Sequence, residues 1–114
     1  MSLKDSIEKK RLEILEKISA IHTMRKGVVS EYFVNTKLKD GSVKSNGPYY
    51  SITSKGPKGK TTGEKIPGEM LDSIKSDAEN YKKFRELSEE FVIVCEQASL
   101  LSTDEAASEQ LKKN

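Results

Sequence analysis

Isoleucine and leucine recur at helical intervals over the first part of the chain. Ile7, Ile14, Leu15, Ile18 and Ile21 follow a 3.6-residue repeat, and Lys9, Lys10, Glu13, Glu16 and Lys17 fill the wet face. Ser2-Leu3-Lys4-Asp5 has the Ser-x-x-acid form of a helix-capping box. The pattern predicts an amphipathic helix of about 18 residues, roughly 27 Å long at 1.5 Å per residue. Gly27 ends the segment.

The period then changes. Val28–Leu38 (VVSEYFVNTKL) is rich in β-branched and aromatic residues, with Val28, Tyr32, Val34 and Leu38 on one face and Val29 and Phe33 on the other. Asp40-Gly41 predicts a hairpin turn, because glycine accepts the positive φ such turns need. A short return strand over Ser42–Lys44 should follow, broken by Asn46-Gly47-Pro48. Tyr49–Thr53 reads as another strand, Lys55–Gly59 as a turn, and Lys60–Ile66 as a weak returning strand that Gly63 interrupts.

Beyond Pro67, which suits a first helical position, no Gly follows Gly68 and no further Pro occurs. Met70, Ile74, Tyr81, Phe84, Leu87, Phe91, Val94, Ala98 and Leu101 keep three–four spacing, and the last six form a strict a/d series. A helix of about 35 residues, roughly 50 Å, is predicted. Ser102-Thr103-Asp104-Glu105 looks like a stop and a new cap, so residues 103–114 should be a short helix or flexible tail after a single domain of residues 1–102.

The expected fold is α+β: an N-terminal helix, a small antiparallel β-meander of three or four strands, and a long C-terminal helix. The two helices should run antiparallel and pack like a coiled coil. Pairing from the sheet end would match the first helix with Met70–Leu87, leaving Phe91–Leu101 (FVIVCEQASLL) unpartnered. An exposed apolar seam of this kind marks an interface. Phe84, Leu87, Phe91, Val94, Cys95, Ala98 and Leu101 are therefore the expected contact set for a homodimer or a partner helix.

Composition bounds this picture. Of 114 residues, 34% are hydrophobic and 33% charged, so the core must be thin. The single Cys95 excludes an internal disulfide and fits a reducing compartment. No run approaches the ~18 apolar residues of a membrane span, and the N-terminus lacks the apolar core of a secretory signal. The expectation is a cytoplasmic protein without membrane contact. Net charge is only +2, but its distribution is uneven. Residues 22–66 carry nine Lys/Arg against three Asp/Glu, while residues 67–114 carry six against eleven.

Little catalytic chemistry is visible. Ser54–Thr61 (SKGPKGKT) is one letter from the phosphate-binding loop G-x-x-x-x-G-K-[ST]. That loop must open a helix, whereas here Gly63 and Pro67 follow closely, so a basic turn between strands is the better reading. His22 suits a helix terminus and Cys95 falls on or beside the apolar stripe of the long helix. One Cys and one His do not make a usual zinc site. No nucleophile–base set, metal site, cofactor motif or small-molecule substrate is evident, and an enzyme is not expected.

The basic meander carries more information. Lys37, Lys39, Lys44, Lys55, Lys58, Lys60 and Lys65 lie on or near strand ends and turns, with Tyr32, Phe33, Tyr49 and Tyr50 among them. Cations meet phosphates and exposed aromatics stack on bases. Alternatively, the aromatics pack on the helices and the lysines protect sheet edges.

From Gly47-Pro48-Tyr49-Tyr50 through the Lys/Gly turn, Gly59-Lys60-Thr61 and the helix opened by Pro67, the chain resembles an uncharacterised prokaryotic family of short, sometimes transposase-associated proteins. The likeness covers about residues 25–101. Family members carry a Cys-rich loop and a His before this motif. Here Asn46 stands at the His position and no Cys precedes it, so no metal role carries over. The resemblance implies the helix–hairpin–helix order and mobile-element biology. Two functions are thus expected. One is a non-enzymatic, nucleic-acid-associated accessory protein of a mobile element, using Lys37, Lys39, Lys44, Tyr49, Tyr50, Lys55, Lys58 and Lys60. The other is a phage- or plasmid-type adaptor or inhibitor that binds a partner protein through its helical face.

Overall fold

A computed structural model describes residues 2–113, with side chains through Glu105. The element order is α1 (Leu3–Ser19), β1 (Val28–Lys37), β2 (Val43–Lys55), β3 (Thr61–Ile66) and α2 (Leu71–Lys113). The strands form one antiparallel sheet in the order β1-β2-β3. The α+β class, the meander and the helices at either end of it follow the sequence pattern. Two compact units result: residues 23–82 hold the sheet and the start of α2, and residues 1–22 with 83–114 hold the helical pair.

In the sheet unit, Ile52, Ile66 and Ile74 form the buried cluster, with Val29, Tyr50, Leu71 and Ala78 packed around it. Leu71, Ile74 and Ala78 are spaced by three and four, so one stripe of α2 covers one face of the sheet. Each such buried aliphatic side chain contributes about 1.5–3 kcal/mol. The segment before β1 is strapped to this stretch of helix. Thr23 Oγ1 donates to the Asp77 carboxylate at 2.6 Å, Asn80 Nδ2 donates to the Thr23 carbonyl at 3.0 Å, and the Arg25 amide donates to the Asp77 carbonyl at 3.0 Å.

The helical unit is an antiparallel pair. Ser2 caps α1, its hydroxyl accepting from the Asp5 amide at 3.2 Å. Ile14, Leu87 and Val94 are buried together, with Ile7, Ile18, Ile21 and Phe91 against them. This corrects the expected pairing. Helix α1 lies on the Leu87–Leu101 part of α2, not on Met70–Leu87, because Leu71, Ile74 and Ala78 are committed to the sheet. The seam expected to be unpartnered is consequently filled in part from within the chain, while Val92, Ile93 and Leu100 stay exposed. Leu87 and Val94 are buried, and Phe84, Phe91, Ala98 and Leu101 are half-buried, while Cys95 is exposed. Leu87 and Val94, expected to meet a second copy or a partner helix, meet Ile14 of α1 instead.

Two further expectations change. The break at Asn46-Gly47-Pro48 is not a break: β2 runs through it as one strand. Tyr32 pairs with Tyr49 and Val34 with Asn46, so Gly47 and Pro48 together oppose Phe33 in a β-bulge. Pro48 is tolerated because β3 reaches only as far as Tyr50 along β2, leaving a free edge beside the proline. The stop at Ser102–Glu105 is also absent, and α2 continues to Lys113 in place of a separate short helix or tail. Thr103 does not cap a new helix, since its hydroxyl donates back to the Ser99 carbonyl at 3.0 Å. Pro67 precedes a short 3-10 turn, Gly68–Met70, and stands outside it. His22 lies beyond the end of α1 and is exposed.

Gly27 leads into β1 with φ +148°, and a Cβ there would stand 2.7 Å from Ile52 Cγ1 and 2.8 Å from the Thr53 carbonyl oxygen. Gly27→Ala should therefore destabilise the protein by about 1–3 kcal/mol in chemical denaturation, from strain and overpacking together. Gly68→Ala, where a Cβ meets nothing within 4 Å, should stay within about 0.5 kcal/mol. Equal effects at the two positions would refute the assigned packing.

Candidate nucleic-acid interface

Alternation along β2 sends Tyr49 and Tyr50 to opposite faces of the sheet. Tyr50 is half-buried against the Ile52–Ile66–Ile74 cluster, with Lys75 Nζ 5.3 Å from its ring centroid. Its ring belongs to the core. Tyr49 stands on the other face, across from Tyr32, with ring centroids 5.7 Å apart and planes inclined by 39°. Lys65 Nζ lies 4.9 Å from the Tyr49 centroid, within cation–π range. Register places Ser30, Ser51 and Lys65 side by side next to this pair, and Val28, Thr53 and Gly63 in the following row. This face is built mainly of small, hydroxyl and aromatic groups.

The six lysines singled out from the sequence are all exposed, but they do not form one patch. Lys37 ends β1, Lys39 sits in the hairpin turn and Lys44 begins the return. Lys55 ends β2 at the opposite extremity, next to Lys58 and Lys60 in the second turn. From Lys44 to Lys55 the strand covers about 36 Å at roughly 3.3 Å per residue. Tyr49 lies between the two groups. Lys65, part of the basic set but not among the residues first assigned to the interface, is the cation that the fold brings to Tyr49. Its spacing from Tyr49 in sequence carries no signal, because β2–β3 register creates the contact.

The second turn settles the near-match to a phosphate-binding loop. Ser54 and Lys55 end β2, Pro57–Gly59 form a 3-10 turn, and Thr61 begins β3, so no helix opens there. The Gly56 amide donates to the Lys60 carbonyl at 2.7 Å and closes the turn. Lys58 occupies the left-handed region with φ +69°, which costs a non-glycine residue roughly 1–2 kcal/mol.

Among the described residues none of these six lysines is in an ion pair. Among the described residues the ion pairs are Arg11–Glu8 at 2.6 Å and Arg25–Glu64 at 3.4 Å. Arg25 and Glu64 also line a cavity of about 280 Å3 with Lys26, Ile52, Ser54, Thr62 and Gly63. Asp40 accepts hydrogen bonds from the Ser42 hydroxyl and amide, which hold its carboxyl below the usual aspartate range. Among the described residues no group of three or more His, Cys, Asp or Glu could hold a metal ion, and no helix is long and apolar enough to cross a membrane.

The Asp40 carboxyl should titrate below about 3.9, the ordinary aspartate value, and Ser42→Ala should return it towards that value in an NMR titration. A depressed folded pKa means that the contribution to hairpin order is complete above the ordinary aspartate range and is lost as pH falls through the folded value. Ordering that persists well below that range, or an unchanged titration in Ser42→Ala, would contradict the assigned bonds. Searches against protein-family models, curated proteins and solved structures found no match to this chain.

Proposed function

We propose that this protein is a non-enzymatic nucleic-acid-binding protein that holds phosphates through its cationic β-sheet. One observation carries the reading: Lys37, Lys39, Lys44, Lys55, Lys58 and Lys60 are exposed, and none of them is in an ion pair among the described residues. A folded sheet that needed lysines only to block edge pairing would not require them at both turns. Phosphate contact gives such an arrangement a purpose, since each neutralised phosphate releases condensed counterions. Tyr49, with Tyr32 beside it on the face away from Ile52, supplies aromatic surface between the two lysine groups. Tyr50 supports the site from the core. The family likeness adds an accessory role in a mobile element.

The helical pair offers a second reading, a partner protein: Ile14, Leu87 and Val94 face one another, while Leu12, Val92, Ile93 and Leu100 stay exposed.

The test is a binding assay with single- and double-stranded nucleic acids over a range of salt. Affinity should fall steeply as salt rises. Changing Lys55, Lys58 and Lys60 together to Glu should reduce the slope of log K against log salt by about 3, one per lost phosphate contact. No binding at low salt to any nucleic acid would end this reading.

A further inference from the structure

Beyond the bulge the sheet becomes a different object. β3 pairs with β2 only from Lys55 to Tyr50, so Val34–Lys37 and Val43–Asn46 pair with each other alone. They form a two-stranded arm closed by the Asp40-Gly41 turn. Every residue from Phe33 to Ser45 is exposed. Isolated hairpins are marginally stable in water, yet this one is tied along its length. Asn46 Nδ2 donates to Thr36 Oγ1 at 3.1 Å, the Leu38 amide donates to the Ser42 carbonyl at 2.8 Å, and Ser42 satisfies Asp40.

Resting on the nucleic-acid reading above, we propose that this arm seats in the major groove of B-form DNA. Dimensions, charge and surface chemistry each point there. The major groove is about 12 Å wide and 8.5 Å deep and admits a two-stranded ribbon. From Val34 to Leu38 the paired strand reaches about 13 Å at roughly 3.3 Å per residue, more than the groove's depth, so the turn can reach the groove floor. Lys37, Lys39 and Lys44 flank the turn, where the groove's phosphate walls would meet them. Asp40 is the arm's one carboxylate, set against three lysines, and its Oδ1 accepts both bonds from Ser42. Val34, 47% exposed and on the same face of the arm as Thr36, Lys44 and Asn46, offers apolar contact to thymine methyl groups. Double-stranded RNA is excluded by the same geometry, because its major groove is deep, narrow and closed to side chains.

The experiment compares the full chain with a Lys37→Gln, Lys39→Gln, Lys44→Gln variant on three probes of matched sequence: a DNA duplex, an RNA duplex and single-stranded DNA. A fourth probe is the DNA duplex with bulky substituents at the pyrimidine 5-positions, which fill the major groove. The substituted lysines are exposed, and circular dichroism checks that the variant is folded. The proposal expects tightest binding to the plain DNA duplex. It expects a loss of about tenfold or more in the variant, with the salt slope reduced by about 3, and a similar loss on the filled groove. Unchanged affinity in the variant, tolerance of the filled groove, or preference for RNA or single strands would overturn the arm's placement while leaving nucleic-acid binding intact. Absence of binding to all four probes would overturn both. A dimer that Val34→Ser with Val43→Ser converts to monomer by sedimentation would assign the arm to a second copy and overturn the proposal.

Discussion

A three-stranded sheet of this size must have one face covered, and the first turns of α2 are what cover it. Ile74 set against Ile52 and Ile66 is the contact on which the rest depends. It commits Leu71, Ile74 and Ala78 to the sheet, so α1 must use the helix from Leu87 onwards. The hydrogen bonds from Thr23 and Arg25 to Asp77, and from Asn80 to Thr23, hold the chain at the point where it passes from one task to the other. Buried polar demand is low in such a thin core, and none of the described side chains leaves a buried polar atom unpartnered.

Covering one face also decides what is left for recognition. Tyr50 is drawn into the core, while Tyr49 and Tyr32 stay on the far side with Lys65. The six flanking lysines collect at the two extremities of β2, and none of them is in an ion pair among the described residues. A phosphate backbone is long, regularly charged and tolerant of such separation, unlike a small anion, which would need the cations to converge.

The bulge at Gly47-Pro48 divides the sheet into a packed part and a free part. Gly47 has φ +134°, and a Cβ there would approach Phe33 Cδ1 to 3.0 Å and the Tyr32 carbonyl oxygen to 3.1 Å. A glycine is needed at this close approach. The run Gly47-Pro48-Tyr49-Tyr50 therefore has a structural reading: the first two residues make the bulge, the third is half-buried on the far face beside Tyr32, and the fourth enters the core.

Much of this was legible in the residues alone. The helical spacing from Ile7, the Ser2 cap, the Asp40-Gly41 turn and the β-branched run from Val28 are local signals, and local backbone preferences suffice to read them. Tyr49 and Tyr50 were both expected at the interface, and the alternation of β2 leaves only Tyr49 on the far face. Pro48 and Ser102–Glu105 misled, because a bulge and a back-bonded threonine let regular structure continue through residues that ordinarily interrupt it. The contact of Lys65 with Tyr49, and the division of α2 between sheet and α1, were decided only by the tertiary structure. Hydrophobic burial has no direction of its own, so an apolar stripe accepts any apolar partner until strand register and chain connectivity choose one.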